Sequence, residues 1–129
     1  MIPSIDVPGP KILIVDDQKS NVNLLQQTLR RAGFAEVMAT TEPREVAAMH
    51  AQHHYDLILL DLQMPEMNGF EVMEGLQATE GPRAAILVLS ADASQTATVL
   101  EKGADSFLGK PFRLPDVVER VQSMLKSAV

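Results

Sequence analysis

Apolar residues in this chain follow two alternating patterns. Some form short continuous runs, and others recur every three or four positions over longer stretches. Leu57-Ile58-Leu59-Leu60 is the clearest run. It is too short for a buried helix and suits a strand covered on both faces. Lys11-Ile12-Leu13-Ile14-Val15 and Ala84 to Leu89 read the same way, Ala35 to Ala39 as a weaker strand, and Asp105-Ser106-Phe107-Leu108 as a brief one. Between the first two runs, Val22, Leu25, Leu29 and Ala32 sit at helical spacing; Ser20 or Asn21 can cap that helix and Gly33 ends it. Thr41-Glu42-Pro43 opens a second helix to about Gln52, with proline acceptable in the first turn. Pro65 and Asn68-Gly69 mark a loop before a third helix from about Phe70 to Ala78. A fourth runs from about Ser94 to Lys102 and stops at Gly103. The last, from Pro115 to about Lys126, carries an apolar stripe of Val117, Val118, Val121, Met124 and Leu125.

Five strand–helix pairs in strict alternation predict an α/β fold: a doubly wound, five-stranded parallel sheet with five helices on its two faces. Right-handed crossovers leave few topologies, and of the common orders five strands match 2-1-3-4-5. Residues 1–10, with Pro3, Pro8, Gly9 and Pro10, read as a flexible leader, and 11–129 as one domain.

Composition narrows the function classes. The net charge of −6 disfavours direct nucleic-acid binding and is compatible with a site that collects a divalent cation. With no Cys, disulfides, thiol chemistry and Cys-rich zinc sites are excluded. With no Trp and one Tyr, stacking platforms for bases or a flavin are scarce. No apolar run approaches the length of a membrane span, and the N-terminus lacks the features of a signal peptide, so a cytoplasmic domain is expected.

The strand exits carry the chemistry. Taken in order they are Asp16-Asp17, Asp61, Ser90 and Lys110. A parallel sheet puts all of them on one edge, and the order 2-1-3-4-5 puts four of the five strands side by side. Three carboxylates at close quarters repel and need a counter-charge. Their hard oxygens suit magnesium, with manganese the alternative. Lys110 would supply a second cation for a phosphate and Ser90 a hydroxyl. This is the equipment of phosphoryl transfer, and the nucleophile positioned among these groups is the Asp61 carboxylate, giving an aspartyl phosphate.

Asp16-Asp17, the stretch Asp61-Leu62-Gln63-Met64-Pro65-Glu66-Met67-Asn68-Gly69, Ser90-Ala91 and Lys110-Pro111-Phe112 together resemble the signature of the response-regulator receiver domain, over about Lys11 to Ser127. The resemblance implies a flavodoxin-like fold and a place in a two-component phosphorelay. A histidine kinase or phosphotransfer protein would donate phosphate to Asp61. Asp16, Asp17, Asp61 and the backbone carbonyl of Gln63 would hold the magnesium. Ser90 would contact the phosphoryl group and move toward it on activation, and Lys110 would bind it, with the Lys110-Pro111 bond cis. Phe107 matches the aromatic switch that turns inward with Ser90. Gln63 and Asp92 occupy the positions thought to tune phosphate lifetime. The fourth helix, fifth strand and fifth helix would form the signalling surface, toward a downstream protein, a fused effector domain or a second copy of the chain. Phe107 in place of a tyrosine lacks a hydroxyl for output contacts.

Other readings compete. An aspartyl-nucleophile phosphatase would want a second Asp where Gln63 stands, and a flavin carrier a phosphate-cradling loop where Asp16-Asp17 stand. A constitutive docking module, in which phosphorylation is incidental, is the remaining alternative. A receiver catalyses only its own phosphorylation and dephosphorylation, so no turnover of an outside substrate is expected. His50 and His54, four apart on a helix, have the spacing of metal ligands but no evident third partner, and Met64, Met67 and Met73 read as packing.

Overall fold

A computed structural model describes residues 9–64, 68–79 and 81–127. The elements alternate as the apolar pattern predicts. They are β1 (Lys11–Val15), α1 (Lys19–Arg31), β2 (Glu36–Thr40), α2 (Val46–His53), β3 (Leu57–Asp61), α3 (Gly69–Gln77), β4 (Ala85–Ser90), α4 (Thr96–Glu101), β5 (Ser106–Gly109) and α5 (Leu114–Ser127). The strands form one parallel sheet in the order β2-β1-β3-β4-β5. Residues 1–8 of the expected leader lie outside the described residues, as do Pro65, Glu66 and Met67 of the loop.

Strand periodicity divides the core in two. On β3, Ile58 and Leu60 point into one cluster with Val46, Val72, Met73 and Val99 from α2, α3 and α4. Leu57 and Leu59 point into the other, with Val22, Leu25 and Leu29 of α1 and Val117 and Val121 of α5. A strand buried on both faces needs an unbroken apolar run, and β3 is buried at every position. Met64 and Met73 pack in the first cluster, as expected of them.

Helix starts depart from expectation. Neither Ser20 nor Asn21 caps α1: the helix begins at Lys19 after Gln18, whose side chain makes no capping bond. The stretches before α2 and α4 close as 3₁₀ turns, Pro43–Glu45 and Ala93–Gln95, because Glu45 and Gln95 donate to carbonyls three residues back. At α3, Asn68 and Glu71 exchange side-chain and backbone hydrogen bonds in a capping box, so the helix starts one residue before the expected Phe70.

His50 is a structural residue. It is 3% exposed; its Nδ1 accepts from the Tyr55 N–H at 3.1 Å and its Nε2 lies 2.9 Å from the Pro82 carbonyl oxygen. Both ring nitrogens are thereby committed to tying α2 to the segments that lead into β3 and β4. No ring nitrogen is left for a metal.

Gly69 packs the start of α3 against the end of β3. Its N–H donates to Leu62 O at 2.8 Å, and a Cβ there would stand 2.9 Å from the Leu62 Cα. Backbone cannot yield as a flexible side chain can. Gly69→Ala is therefore expected to lower stability by about 1–3 kcal/mol in urea titration, where a site with room would gain stability from the same change.

Candidate functional site

Strand register brings the exits to one level. Val15 pairs with Leu60, Asp61 with Leu89, and Ser90 with Gly109. Asp16 follows β1 directly, Asp61 and Ser90 end their strands, and Lys110 follows β5, its N–H donating to Ser90 O at 2.8 Å. The Lys110-Pro111 peptide bond is cis. One carboxylate oxygen from each of Asp16, Asp17 and Asp61 lies within 4.8 Å of the others. Lys110 Nζ stands 3.4 Å from Asp61 Oδ1, which also accepts from the Gln63 N–H at 3.2 Å.

Burial decides the electrostatics. Asp16 is 2% exposed and Asp61 5%, so both carboxylates have lost most of their hydration. Desolvation raises the Asp16 pKa above its ordinary 3.8. The Gln18 N–H opposes it, the Asp61 charge adds to it, and Lys110 and the Asn21 amide again oppose it. Asp16 Oδ1 accepts from Gln18 N at 2.9 Å and Oδ2 from Asn21 Nδ2 at 3.3 Å. A cluster of oxygen donors short of positive charge fits a hard divalent cation such as magnesium or manganese.

The remaining candidates lie around this centre. Ser90 is fully buried, and its Oγ accepts from the Asp92 N–H at 3.1 Å. The Asp92 carboxylate accepts from the Ser94 N–H at 3.0 Å, capping the next turn. Gln63 is exposed at the rim. Phe107, three positions before Lys110 on β5, is half-buried against the cluster on the α2–α4 face, away from the carboxylates.

Asn21, weighed from the sequence as a helix cap, instead holds the buried carboxylate of Asp16. Its place one residue before the inward-facing Val22 was the available signal. The capping box was legible as Asn-x-x-Glu ahead of an apolar stretch, and was missed. Beside the carboxylates, a cavity of about 230 Å³ runs between α1 and the β5–α5 loop, with Asp16 and Lys110 among polar residues and Leu24, Leu25 and Phe112 among apolar ones.

The family model described as response regulator receiver domain matches residues 12–122. Similar full-length proteins include the transcriptional regulatory protein PrrA of Mycobacterium tuberculosis, 36% identical over 93% of this chain and 52% of its own length. The DNA-binding response regulator MtrA of the same species is 34% identical over 95% of this chain and 53% of its own length. The chain thus spans about half the length of these curated relatives. Among solved structures, the receiver domain of a sensor histidine kinase from Pseudomonas aeruginosa, with magnesium coordinated in its active-site cleft, superposes with a TM-score of 0.80. It is 27% identical, covering 92% of this chain and 98% of that one. The chemotaxis protein CheY4 of Vibrio cholerae gives 0.76 at 28% identity, covering 90% and 98%.

The raised Asp16 pKa has a definite sign for stability. The folded chain keeps this proton to a higher pH than the unfolded chain does. Stability of the metal-free protein therefore falls as pH rises from about 4 through the folded value, and the loss persists above it. In chelator at pH 7, Asp16→Asn is expected to melt roughly 2–5 °C above wild type. That advantage shrinks toward pH 3–4, where both carry a neutral side chain. Paired thermal melts across pH check it.

Proposed function

This chain belongs to the response regulator receiver domain family of two-component signalling, and from that premise we propose that Asp61 accepts a phosphoryl group from a phosphohistidine donor. The observation that carries the proposal is the convergence of three carboxylate oxygens within 4.8 Å, with Lys110 Nζ 3.4 Å from the Asp61 carboxylate. Residues 11–129 are assigned to the receiver domain. In the reaction an Asp61 oxygen bonds to phosphorus as the phosphorus–nitrogen bond to the donor imidazole breaks. The hydrogen bonds from Gln63 N–H and Lys110 both fall on Oδ1, which leaves Oδ2 as the attacking oxygen.

Asp16, Asp17, Asp61 and the Gln63 backbone carbonyl would hold magnesium, or manganese in its place. When bound, the metal neutralises charge on the carboxylates and on the incoming phosphate. Lys110 stabilises phosphoryl oxygens during transfer, and the Ser90 hydroxyl, which accepts from Asp92, has its own proton to donate to them. Phosphorylation then biases an equilibrium between two conformers, with Ser90 and Phe107 as the moving pair and α4, β5 and α5 as the surface that changes. Gln63 and Asp92 tune phosphate lifetime. No turnover of an outside substrate follows from this chemistry.

The phosphodonor is assigned as a histidine kinase or phosphotransfer protein. The cavity beside Asp16 and Lys110, with Leu24 49% exposed at its edge, supports approach by a protein surface. Output passes to a downstream protein, to a fused effector domain or to a second copy through α4, β5 and α5. The net charge of −6 argues against direct nucleic-acid contact by this domain. Among the described residues no helix is long and apolar enough to cross a membrane. A phosphohistidine donor of this kind would meet the domain in the cytoplasm.

Incubation with acetyl phosphate and magnesium, read by intact mass, tests the assignment. Wild type gains one phosphate, Asp61→Asn gains none, and chelator abolishes the gain. Lys110→Ala slows the reaction by about tenfold or more. Magnesium binding without phosphate uptake would instead favour a constitutive docking module, and steady release of phosphate from many phosphoesters a phosphatase.

A further inference from the structure

β5 is a four-residue strand at the edge of the sheet, paired on one side only. Lys110 N–H donates to Ser90 O, and the register pairs Gly109 with Ser90 and Phe107 with Val88. Backbone groups of a parallel strand alternate in direction along the ladder. Those of Leu108 and Lys110 therefore face β4, and those of Phe107 face the open edge.

That open edge is occupied by Arg120 of α5. Its Nη1 donates to the Ser106 Oγ at 2.6 Å and to the Phe107 carbonyl oxygen at 2.9 Å. The Phe107 ring meanwhile packs against the cluster on the α2–α4 side, with Val88 and Val99. Arg120 comes from the other side, one residue from Val121, which lies in the α1–α5 cluster. One residue is thus gripped twice, by its ring from one face of the sheet and by its carbonyl from the other.

We propose that Arg120 is a positioning residue that couples α5 to the aromatic switch by holding the outer edge of β5 at Phe107. This rests on the receiver reading only in taking Phe107 as the moving ring. The hydrogen bond is made in the conformer described here, where the Phe107 ring is only half-buried. A contact made in one of two conformers shifts their populations by its difference between them. Removing it frees the Phe107 backbone to follow its ring inward, and by linkage makes phosphorylation of Asp61 easier.

The test compares wild type with Arg120→Met, which keeps the stem's packing and loses the donors, and Arg120→Lys, which keeps a charged donor. Three-bond NMR couplings report the χ1 populations of Phe107 in the unphosphorylated protein, and intact mass reports the phosphorylation rate with acetyl phosphate and magnesium. Arg120→Met is expected to shift the ring populations and to raise the rate about threefold or more, with Arg120→Lys returning both toward wild type. Ser106→Ala, which leaves the carbonyl contact, is expected to change neither. If Arg120→Met does not fold, Arg120→Gln keeps one weaker donor and gives a smaller shift of the same sign. Unchanged ring populations in folded Arg120→Met, or in Arg120→Gln where it replaces it, overturn the proposal even if the melting temperature falls, as does a Ser106→Ala protein that reproduces the whole effect. Should wild type take up no phosphate, the receiver reading fails, and the ring populations alone decide whether Arg120 holds Phe107.

Discussion

The contact between Lys110 and Asp61 is the constraint on which the arrangement at the sheet's edge depends. Opposite charges about 4 Å apart attract by about 4 kcal/mol at the effective dielectric of a protein surface. One ammonium cannot offset three carboxylates, and about two negative charges remain uncompensated. Protein donors make up part of the deficit: Gln18 N–H and the Asn21 amide on Asp16, and Gln63 N–H on Asp61. Burial, and after it the Asp61 charge, still push the Asp16 pKa up against these donors. A site left electrostatically short in this way favours a hard divalent cation.

Holding such a cluster together requires a rigid base. β3 provides it, because each of its residues is buried and it is flanked by strands on both sides. The loop after β3 is fixed at its far end by the Asn68–Glu71 capping box and by the close approach of Gly69 to Leu62. At the opposite end of the sheet, His50 ties α2 to the residues entering β3 and β4. Asp61 therefore has little freedom to retreat from its neighbours into solvent.

What was legible in the sequence was set by period and by register. The Leu57–Leu60 run could only be a strand covered on both faces, and strict alternation then put Asp16, Asp61, Ser90 and Lys110 on one edge. Helix starts were less legible because their determinants are not local preferences. Ser20 is a better N-cap by type than Gln18, yet the chain leaving β1 turns early because Asp16 takes the Gln18 N–H. Asn21 was drawn into the same carboxylate. Both choices follow from where β1 delivers Asp16, and a single stretch of sequence does not carry that information. His50 was ambiguous for a similar reason: helical spacing to His54 says nothing of Tyr55 N–H or of Pro82 O, which claim its two nitrogens.

Ser90 links this centre to the rest of the molecule. Its carbonyl accepts from Lys110 N–H and its hydroxyl from Asp92 N–H, so it is bonded to both the β5–α5 and the β4–α4 loops. The Asp92 carboxylate in turn caps the turn before α4, so the Ser90 hydroxyl is tied to that turn through one residue. On the other side, Ser90 pairs with Gly109 in the β4–β5 ladder, two residues from Phe107. One fully buried serine thus anchors the loops that lead to both α4 and α5.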